Sequence, residues 1–152
     1  ERVRPEDHIS HLGDLTILRG GRVQQEQIAN IVKKLNGHKR LYLGNHDHFP
    51  VQFYLDIWFE KVYATWRDES GLIFSHFPLH PRSLGSVKAC IHGHTHQQPD
   101  YEPVILLDDK KRVKYIPYLN ISVERTGYKP ISHEEIIERV AKARGEAEGI
   151  QT

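Results

Sequence analysis

The sequence predicts an α/β domain that begins with alternating strands and helices and ends mainly in antiparallel strands. Apolar residues recur at helical spacing near residue 30, whereas beyond Phe59 they recur at every second position. Hydrophobic residues make up 38% of the 152 residues and are accompanied by 11 glycines, a composition typical of globular and not of disordered proteins. The length fits a single domain over residues 1–152, because no linker, repeat or low-complexity stretch divides the chain.

The first third of the chain predicts short strands separated by a helix. Residues 8–16 are predicted to form a strand that turns at Gly13, and residues 40–44 form the next strand. Between them a helix is predicted over residues 24–35, ended by the Asn36-Gly37 pair. Its apolar face consists of Ile28, Ile31, Val32 and Leu35. Residues 51–59 are apolar and aromatic, and both a helix and irregular packing remain open for them.

Strands dominate the rest of the chain. They are predicted over residues 61–66, 72–76, 87–92, 104–107, 112–116 and 120–124. Turns at residues 68–71 and 108–111 join two neighbouring pairs of these strands into hairpins. Ser132 and Glu135 form an S-x-x-E capping box, which predicts a closing helix that extends to about Arg144.

Charge and cysteine content limit the classes of function. Lys and Arg total 21 against 20 Asp and Glu, so the net charge of +1 does not favour a partner bound by bulk charge, such as nucleic acid. No apolar run approaches the ~20 residues of a membrane span, which predicts no membrane association. The single cysteine, Cys90, excludes an intrachain disulfide and fits a reducing, cytoplasmic location. Its position within a predicted strand indicates a core residue and not a nucleophile.

Chemically active side chains are concentrated where predicted strands end. Six of the 11 histidines occur in three short clusters, namely His46 and His48, His76, and His92, His94 and His96. Asp14 and Asn45 follow strand-like segments in the same way. Ligands of α/β sheets gather at the carboxyl ends of strands, and Asp, Asn and His donors suit borderline cations such as Mn, Fe or Zn. The sequence therefore predicts a divalent-metal site.

Four motifs occur in a diagnostic order. They are HLGD (11–14), LGNHD (43–47), FSHFPL (74–79) and HGHTH (92–96). The chain thereby resembles the calcineurin-like metallophosphoesterase superfamily, and residues 120–136 are similar to the C-terminal part of its small bacterial and phage members. The resemblance implies two β-sheets packed face to face with flanking helices, an α/β/β/α sandwich. It also implies hydrolysis of a phosphomonoester or phosphodiester by a metal-activated water.

The resemblance also implies a set of metal ligands. Asp14 would bridge two divalent ions, of which manganese is the first candidate and iron, zinc or nickel are alternatives. One ion would be completed by Asn45, His76 and His94, and the other would be bound by His96.

Further residues are implied to act on the phosphate ester itself. His46 would face the substrate, where it stabilises the transferring phosphoryl group or protonates the leaving oxygen, and Asp47 would orient its neighbours. Arg82 is a candidate contact to a substrate phosphate, although a solvated arginine is the preferred interpretation. His92 could support the metal ligands or be a buried hydrogen-bonded ring, and His48 is expected in a loop near the site.

One part of the family pattern has no counterpart. The family opens with a strand ending in D-x-H, which contributes to the first metal, but nothing before Gly13 matches it, and the chain contains no methionine. We therefore expect an upstream strand that this chain lacks, so that only Asp14 and His96 remain for the first metal. The sheet edge left open predicts a homodimer, pairing with another chain or poor solubility.

Two other functions remain open. A non-catalytic scaffold or pseudoenzyme of the same fold is compatible with the absent first motif. A nuclease of the DNA-repair branch shares the motifs, but the net charge of +1 and the lack of an evident basic or stacking surface do not favour it.

Overall fold

The computed structural model describes residues 2–17, 20–107, 110 and 113–149 of the chain. Its strands are β1 His8–His11, β2 His38–Tyr42, β3 Phe59–Tyr63, β4 Thr65–Arg67, β5 Leu72–Ser75, β6 Ala89–His92, β7 Val104–Leu107, β8 Val113–Ile116 and β9 Tyr118–Asn120. Its α-helices are α1 Arg22–Val32, α2 Val51–Asp56 and α3 His133–Gly149, and a short 3₁₀ helix covers Pro81–Ser83. No helix among these residues is both long and apolar enough to cross a lipid bilayer.

The first sheet, called sheet A, consists of parallel strands in the order β1-β2-β3. Its first pair runs in register from His8 opposite His38 to His11 opposite Leu41. Successive side chains of a strand point to opposite faces of the sheet, and β2 packs against other elements on both faces. Leu41 packs with the buried residues Ile28 of α1 and Tyr54 of α2, whereas Tyr42 packs towards the second sheet.

The second sheet, called sheet B, has the order β4-β5-β6-β9, and its strands β5, β6 and β9 are buried on both faces whereas β4 is exposed. On one face, Phe74 and Ile91 share a core with Tyr42 of sheet A and with Val140 of α3. On the other face, Cys90 packs against the β7–β8 hairpin. Two-sided burial explains why β5 and β6 are continuous apolar runs. Burial also raises the pKa of the Cys90 thiol, consistent with a core residue.

The predicted fold class is confirmed, since the chain is a mixed α/β protein with several sheets. The strand predicted over residues 61–66 is wrong, because the chain bends at Ala64 and divides that segment between β3 of sheet A and β4 of sheet B. Period-two apolarity cannot reveal such a change of sheet, because both strands continue the same alternation. The hairpin predicted across residues 68–71 forms as an antiparallel β4–β5 pair.

The predicted apolar face of the first helix is only half buried. Ile28 and Val32 are 4% and 0% exposed, whereas Ile31 and Leu35 are 62% and 49% exposed. The helix lies over sheet A, in which β1 is the edge strand, so no described element covers its outer side. It also ends at Val32, before the predicted Asn36-Gly37 stop.

Elements near the end of the chain are shifted from their predicted positions. The last strand is Tyr118–Asn120 and not residues 120–124, because the Asn120 side chain accepts hydrogen bonds from the Ser122 amide and hydroxyl and so favours a turn. Strands β7 and β8 form the second predicted hairpin, although its turn at residues 108–111 lies outside the described residues except for residue 110. One of the two hydrogen bonds of the predicted capping box is present, since the Ser132 hydroxyl accepts a hydrogen bond from the Glu135 amide at 3.1 Å. The Glu135 carboxylate binds Arg139 at 2.7 Å instead.

Candidate metal centre

Three side chains that could bind a metal converge at the carboxyl ends of the strands. Asp14, His76 and His94 follow β1, β5 and β6, and one ligand atom of each lies within 4.8 Å of the others. Among the described residues, these three form the only such group of His, Cys, Asp and Glu. We refer to them, together with the Asn45 amide oxygen described next, as the metal cluster.

His76 lies at the centre of the metal cluster, and its side chain is only 2% exposed. Its Nδ1–H donates to the Leu12 carbonyl at 2.7 Å, which directs its Nε2 into the metal cluster. This Nε2 lies 3.3 Å from Asp14 Oδ2 and 3.2 Å from Asn45 Oδ1. It is also 3.1 Å from His94 Nδ1. Both oxygens are acceptors, and together with the two ring nitrogens they bring four potential metal-ligand atoms close to one another.

This arrangement fits a divalent cation. Metal–ligand bonds of about 2.1 Å separate adjacent ligands by about 3.0 Å in octahedral and about 3.4 Å in tetrahedral geometry. The measured separations of 3.1, 3.2 and 3.3 Å fall in that interval. Partial burial lowers the pKa of His94, with His76 nearby adding to the effect, and a neutral imidazole is the form that binds a metal. The donor set of two imidazoles, one carboxylate and one amide oxygen suits Mn, Fe or Zn.

Two glycines allow the loops of the metal cluster to approach each other. Gly13 has φ +89°, and a Cβ built on it would lie 2.5 Å from His76 Nδ1. A Cβ on Gly44 would lie 2.2 Å from Asp14 Oδ1 and 2.6 Å from the Asp14 amide nitrogen. Any side chain at these positions would therefore push Asp14 and His76 apart.

Asp47 holds the backbone of the cluster and does not face the ligand atoms. Its Oδ2 accepts the amides of Asp14 and Gly44, both at 2.8 Å. Its Oδ1 accepts the Leu15 amide at 3.0 Å. Asp14 Oδ1 in turn accepts the His46 amide at 2.8 Å, which leaves Oδ2 directed at His76. Asp47 is thus a positioning residue.

His96 is not brought into the metal cluster. Its side chain is 73% exposed, and its Nδ1 lies 2.8 Å from Glu124 Oε1. The hydrogen bond from His96 lowers the pKa of Glu124 below its ordinary value. Among the described residues, Asn45, His76 and His94 of one implied site lie together with Asp14, whereas His96 of the other implied site pairs with Glu124. Glu124 lies in the 120–136 segment but outside the four motifs, and its pairing with His96 was not predicted.

The remaining candidate residues surround the metal cluster at varying distances. The His46 ring is partly buried and lies 6.1 Å from the ring of the exposed His48. Arg82 is exposed in the short 3₁₀ helix, where its amide donates to His80 Nδ1 at 3.2 Å. No described contact joins the Arg82 side chain to the cluster. His92 is fully buried, donates from Nδ1 to the Gly93 carbonyl at 2.8 Å, and has its pKa lowered by burial.

His11, the first residue of the HLGD motif, lies beside the cluster. Its Nδ1 is buried and finds no hydrogen-bond partner among the described residues. Burial lowers its pKa, and the Asp47 carboxylate is near enough to oppose that shift.

A cavity of about 450 Å³ opens beside the metal cluster. We call it the lateral pocket, and it is lined by His94, Thr95, His96, Gln97, Gln98, Tyr101 and Glu124. His94 belongs both to the cluster and to this lining, so the lateral pocket adjoins the metal cluster.

Two proteins similar to this chain have no assigned activity. The chain is 26% identical over 142 residues to an uncharacterized protein of Methanocaldococcus jannaschii, which covers 93% of this chain and 70% of that protein. It also resembles the crystal structure of a protein of unknown function from Aquifex aeolicus, with a TM-score of 0.59, 26% identity and coverage of 90% and 78% of the two chains. No protein-family pattern matches the chain. The function must therefore be argued from the side chains of the metal cluster and its surroundings.

Proposed function

We propose that the chain is a metal-dependent phosphoesterase that hydrolyses a phosphomonoester or phosphodiester. The observation that carries the proposal is the convergence of ligand atoms of Asp14, Asn45 and His94 at 3.1 to 3.3 Å from His76 Nε2. Oxygen and nitrogen donors at this spacing suit a divalent cation. The four motifs that supply these residues support phosphate-ester hydrolysis over other metal-dependent reactions.

A divalent cation held there would act as a Lewis acid on a phosphoryl oxygen and lower the pKa of a water molecule. The protein's own contribution is positioning and charge. Asp14 supplies the one carboxylate of the cluster, and Asp47 keeps it in place through the Asp14 amide. His46 follows Asn45 directly, so one turn presents Asn45 to the cation and the His46 ring to the substrate. That ring stabilises the phosphoryl charge or gives a proton to the leaving oxygen.

A second candidate is a metal-binding scaffold without catalytic activity. It is favoured by the position of His96, which pairs with Glu124 and leaves the second implied ion without that ligand. A scaffold would bind one ion and hydrolyse nothing.

The two candidates are separated by assays on p-nitrophenyl phosphate and bis-p-nitrophenyl phosphate with Mn²⁺ or Zn²⁺. We expect metal-dependent turnover of at least one ester. His46→Asn should retain the bound metal but lose roughly 10²–10⁴-fold in rate, the usual effect of removing a positioned acid or charge stabiliser. Asp14→Asn should lose both metal and rate, since it removes the only carboxylate of the cluster.

The matched control is His48→Asn, which changes an exposed histidine outside the cluster. It should retain both metal and rate. Metal binding without turnover of either ester would favour the scaffold. If His46→Asn lost metal as completely as Asp14→Asn, the division of roles between the two residues would be wrong.

A further inference from the structure

The residues of the lateral pocket indicate which chemical group the substrate contains in addition to its phosphoryl group. It shares His94 with the metal cluster and has a volume of about 450 Å³, within the ~300–1,000 Å³ usual for small-molecule sites. The lateral pocket is thus next to the place where a phosphoryl group would lie, and its side chains are candidates to contact the alcohol part of the ester.

Tyr101 provides a fixed aromatic surface in the lateral pocket. Its ring lies 5.9 Å from the rings of both His92 and Tyr118, and His92 is fully buried. Tyr101 itself remains 49% exposed. One side of the ring is thus held by the protein, while the rest is free to stack against a planar group of a ligand.

Two glutamine side chains provide hydrogen-bonding groups in the same pocket as the Tyr101 ring. Gln97 and Gln98 are exposed in the lining, and no described hydrogen bond holds either side-chain amide. A glutamine amide both donates and accepts, which is the pattern that pairs with the edge of a nucleobase.

The charge of the lateral pocket limits the ligand to one phosphoryl group. None of its described lining residues is Lys or Arg, and Glu124 contributes a carboxylate. Arg125, the neighbour of Glu124 in the chain, is bound to Asp100 at 3.3 Å. A second phosphate would therefore meet no free cation in this lining and would face a carboxylate.

From these observations we propose that the lateral pocket binds a nucleoside, so that the substrate class is a nucleoside monophosphate. The inference rests on the proposed phosphoesterase function. The base stacks on Tyr101 and pairs with Gln97 or Gln98, and the single phosphoryl group lies at the metal cluster. In the reaction, the oxygen of water bonds to phosphorus, the ester P–O bond breaks, and the leaving ribose oxygen takes a proton. The products are a nucleoside and inorganic phosphate.

The first test measures binding without turnover. Adenosine is titrated calorimetrically into the Mn²⁺-loaded chain, with ribose as the comparison ligand. We expect adenosine to bind at least tenfold more tightly than ribose, and Tyr101→Leu to weaken adenosine binding about tenfold or more, since a stacking ring contributes that much to base binding. Trp66→Leu is the matched control, because Trp66 is 48% exposed, is stacked at 5.1 Å on Tyr63, and lies outside the lateral pocket. It should leave adenosine binding unchanged.

The second test compares kcat/KM for adenosine 5′-monophosphate, adenosine 5′-diphosphate and ribose 5-phosphate. We expect the nucleoside monophosphate to be the best substrate and Tyr101→Leu to remove most of its advantage over ribose 5-phosphate. Equal binding of adenosine and ribose, or an unchanged affinity in Tyr101→Leu, would overturn the nucleoside assignment even if p-nitrophenyl phosphate is hydrolysed. Conversely, adenosine binding that depends on Tyr101 without hydrolysis of any ester would support the nucleoside site and refute the phosphoesterase.

Discussion

The affinity of the metal cluster for a divalent ion can be tested through protein stability. An ion that binds only the folded chain stabilises it by about 2.7 kcal/mol when its free concentration is a hundredfold above Kd. For a domain of this size each kcal/mol raises Tm by about 2–4 °C, so saturation with Mn²⁺ or Zn²⁺ should raise Tm by roughly 5–11 °C. His94→Ala removes one of the donors around His76 Nε2, which lies 3.1 Å from His94 Nδ1.

The loss expected in His94→Ala follows from the same relation. Even outer residues of metal sites contribute 10–100-fold to affinity, so loss of a direct ligand should reach at least about 100-fold. At the metal concentration used above, the remaining stabilisation is then about 0.4 kcal/mol, or a rise in Tm of about 1–2 °C. His48→Ala is the control, because His48 is an exposed histidine outside the metal cluster and should keep the full rise.

The measurement is differential scanning calorimetry of the chelator-treated chain with and without metal, combined with elemental analysis of the ion content. We expect one tightly held ion per chain and a second held weakly or not at all, since His96 is bound to Glu124 and is 73% exposed. A full Tm rise in His94→Ala would refute the ligand assignment. Two tightly held ions in a monomeric chain would refute the stoichiometry.

Three further predictions concern single features of the fold. Although partial burial alone raises the pKa of Asp68, hydrogen bonds from Ser70, His133 and the Leu72 amide lower it overall. The ionised carboxylate therefore stabilises the folded state above the ordinary Asp pKa of about 3.9, and this stability is lost as the pH falls through the lowered value. In urea unfolding, the free energy of unfolding of Asp68→Asn should depend less on acid pH than that of wild type. An equal pH dependence in the two proteins would contradict the assignment. Gly44→Ala should displace Asp14, because its Cβ would lie 2.2 Å from Asp14 Oδ1 and 2.6 Å from the Asp14 nitrogen. The overpacking should lower the free energy of unfolding by about 1–3 kcal/mol and abolish the metal-dependent rise in Tm. Gly85→Ala is the control and should retain that rise, because a Cβ at Gly85 would meet no atom within 4 Å. Because β1 is the edge strand of sheet A, we expect concentration-dependent dimers in sedimentation velocity, and a monomer at high concentration would count against pairing through this edge.

Local patterns predicted the elements better than they predicted the contacts between them. Strand β6 and the β4–β5 hairpin could be predicted because consecutive apolar residues and a turn such as 68–71 act within a few residues. The exposure of Ile31 could not, because it depends on what lies beyond β1 at the edge of sheet A. The end of β9 was missed for a similar reason, since the side chain of Asn120 forms a local turn that competes with the strand.

In the candidate site, too, the sequence predicted the residues better than the contacts between them. The four motifs predicted Asp14, His76 and His94 as ligands of the same ion, and the structure places their ligand atoms within 4.8 Å of one another. The partner of His96 could not be predicted, because Glu124 lies 28 residues away in the chain and forms its hydrogen bond through tertiary structure alone. The lateral pocket likewise combines residues of two separate segments, 94–101 and Glu124, and has no sequence signature.

The backbone of the metal cluster explains why Asp47 matters although it presents no ligand atom. Asp14 and His94 have φ values of +51° and +65°, a region that costs non-glycine residues of order 1–3 kcal/mol each. Such conformations persist only where surrounding contacts impose them, and Asp47 imposes one by accepting the amides of Asp14, Leu15 and Gly44. The hydrogen-bonded turn that results directs Asp14 Oδ2 towards His76. Removing the Asp47 carboxylate should thus weaken metal binding by releasing the Asp14 turn, even though every ligand atom remains in the chain.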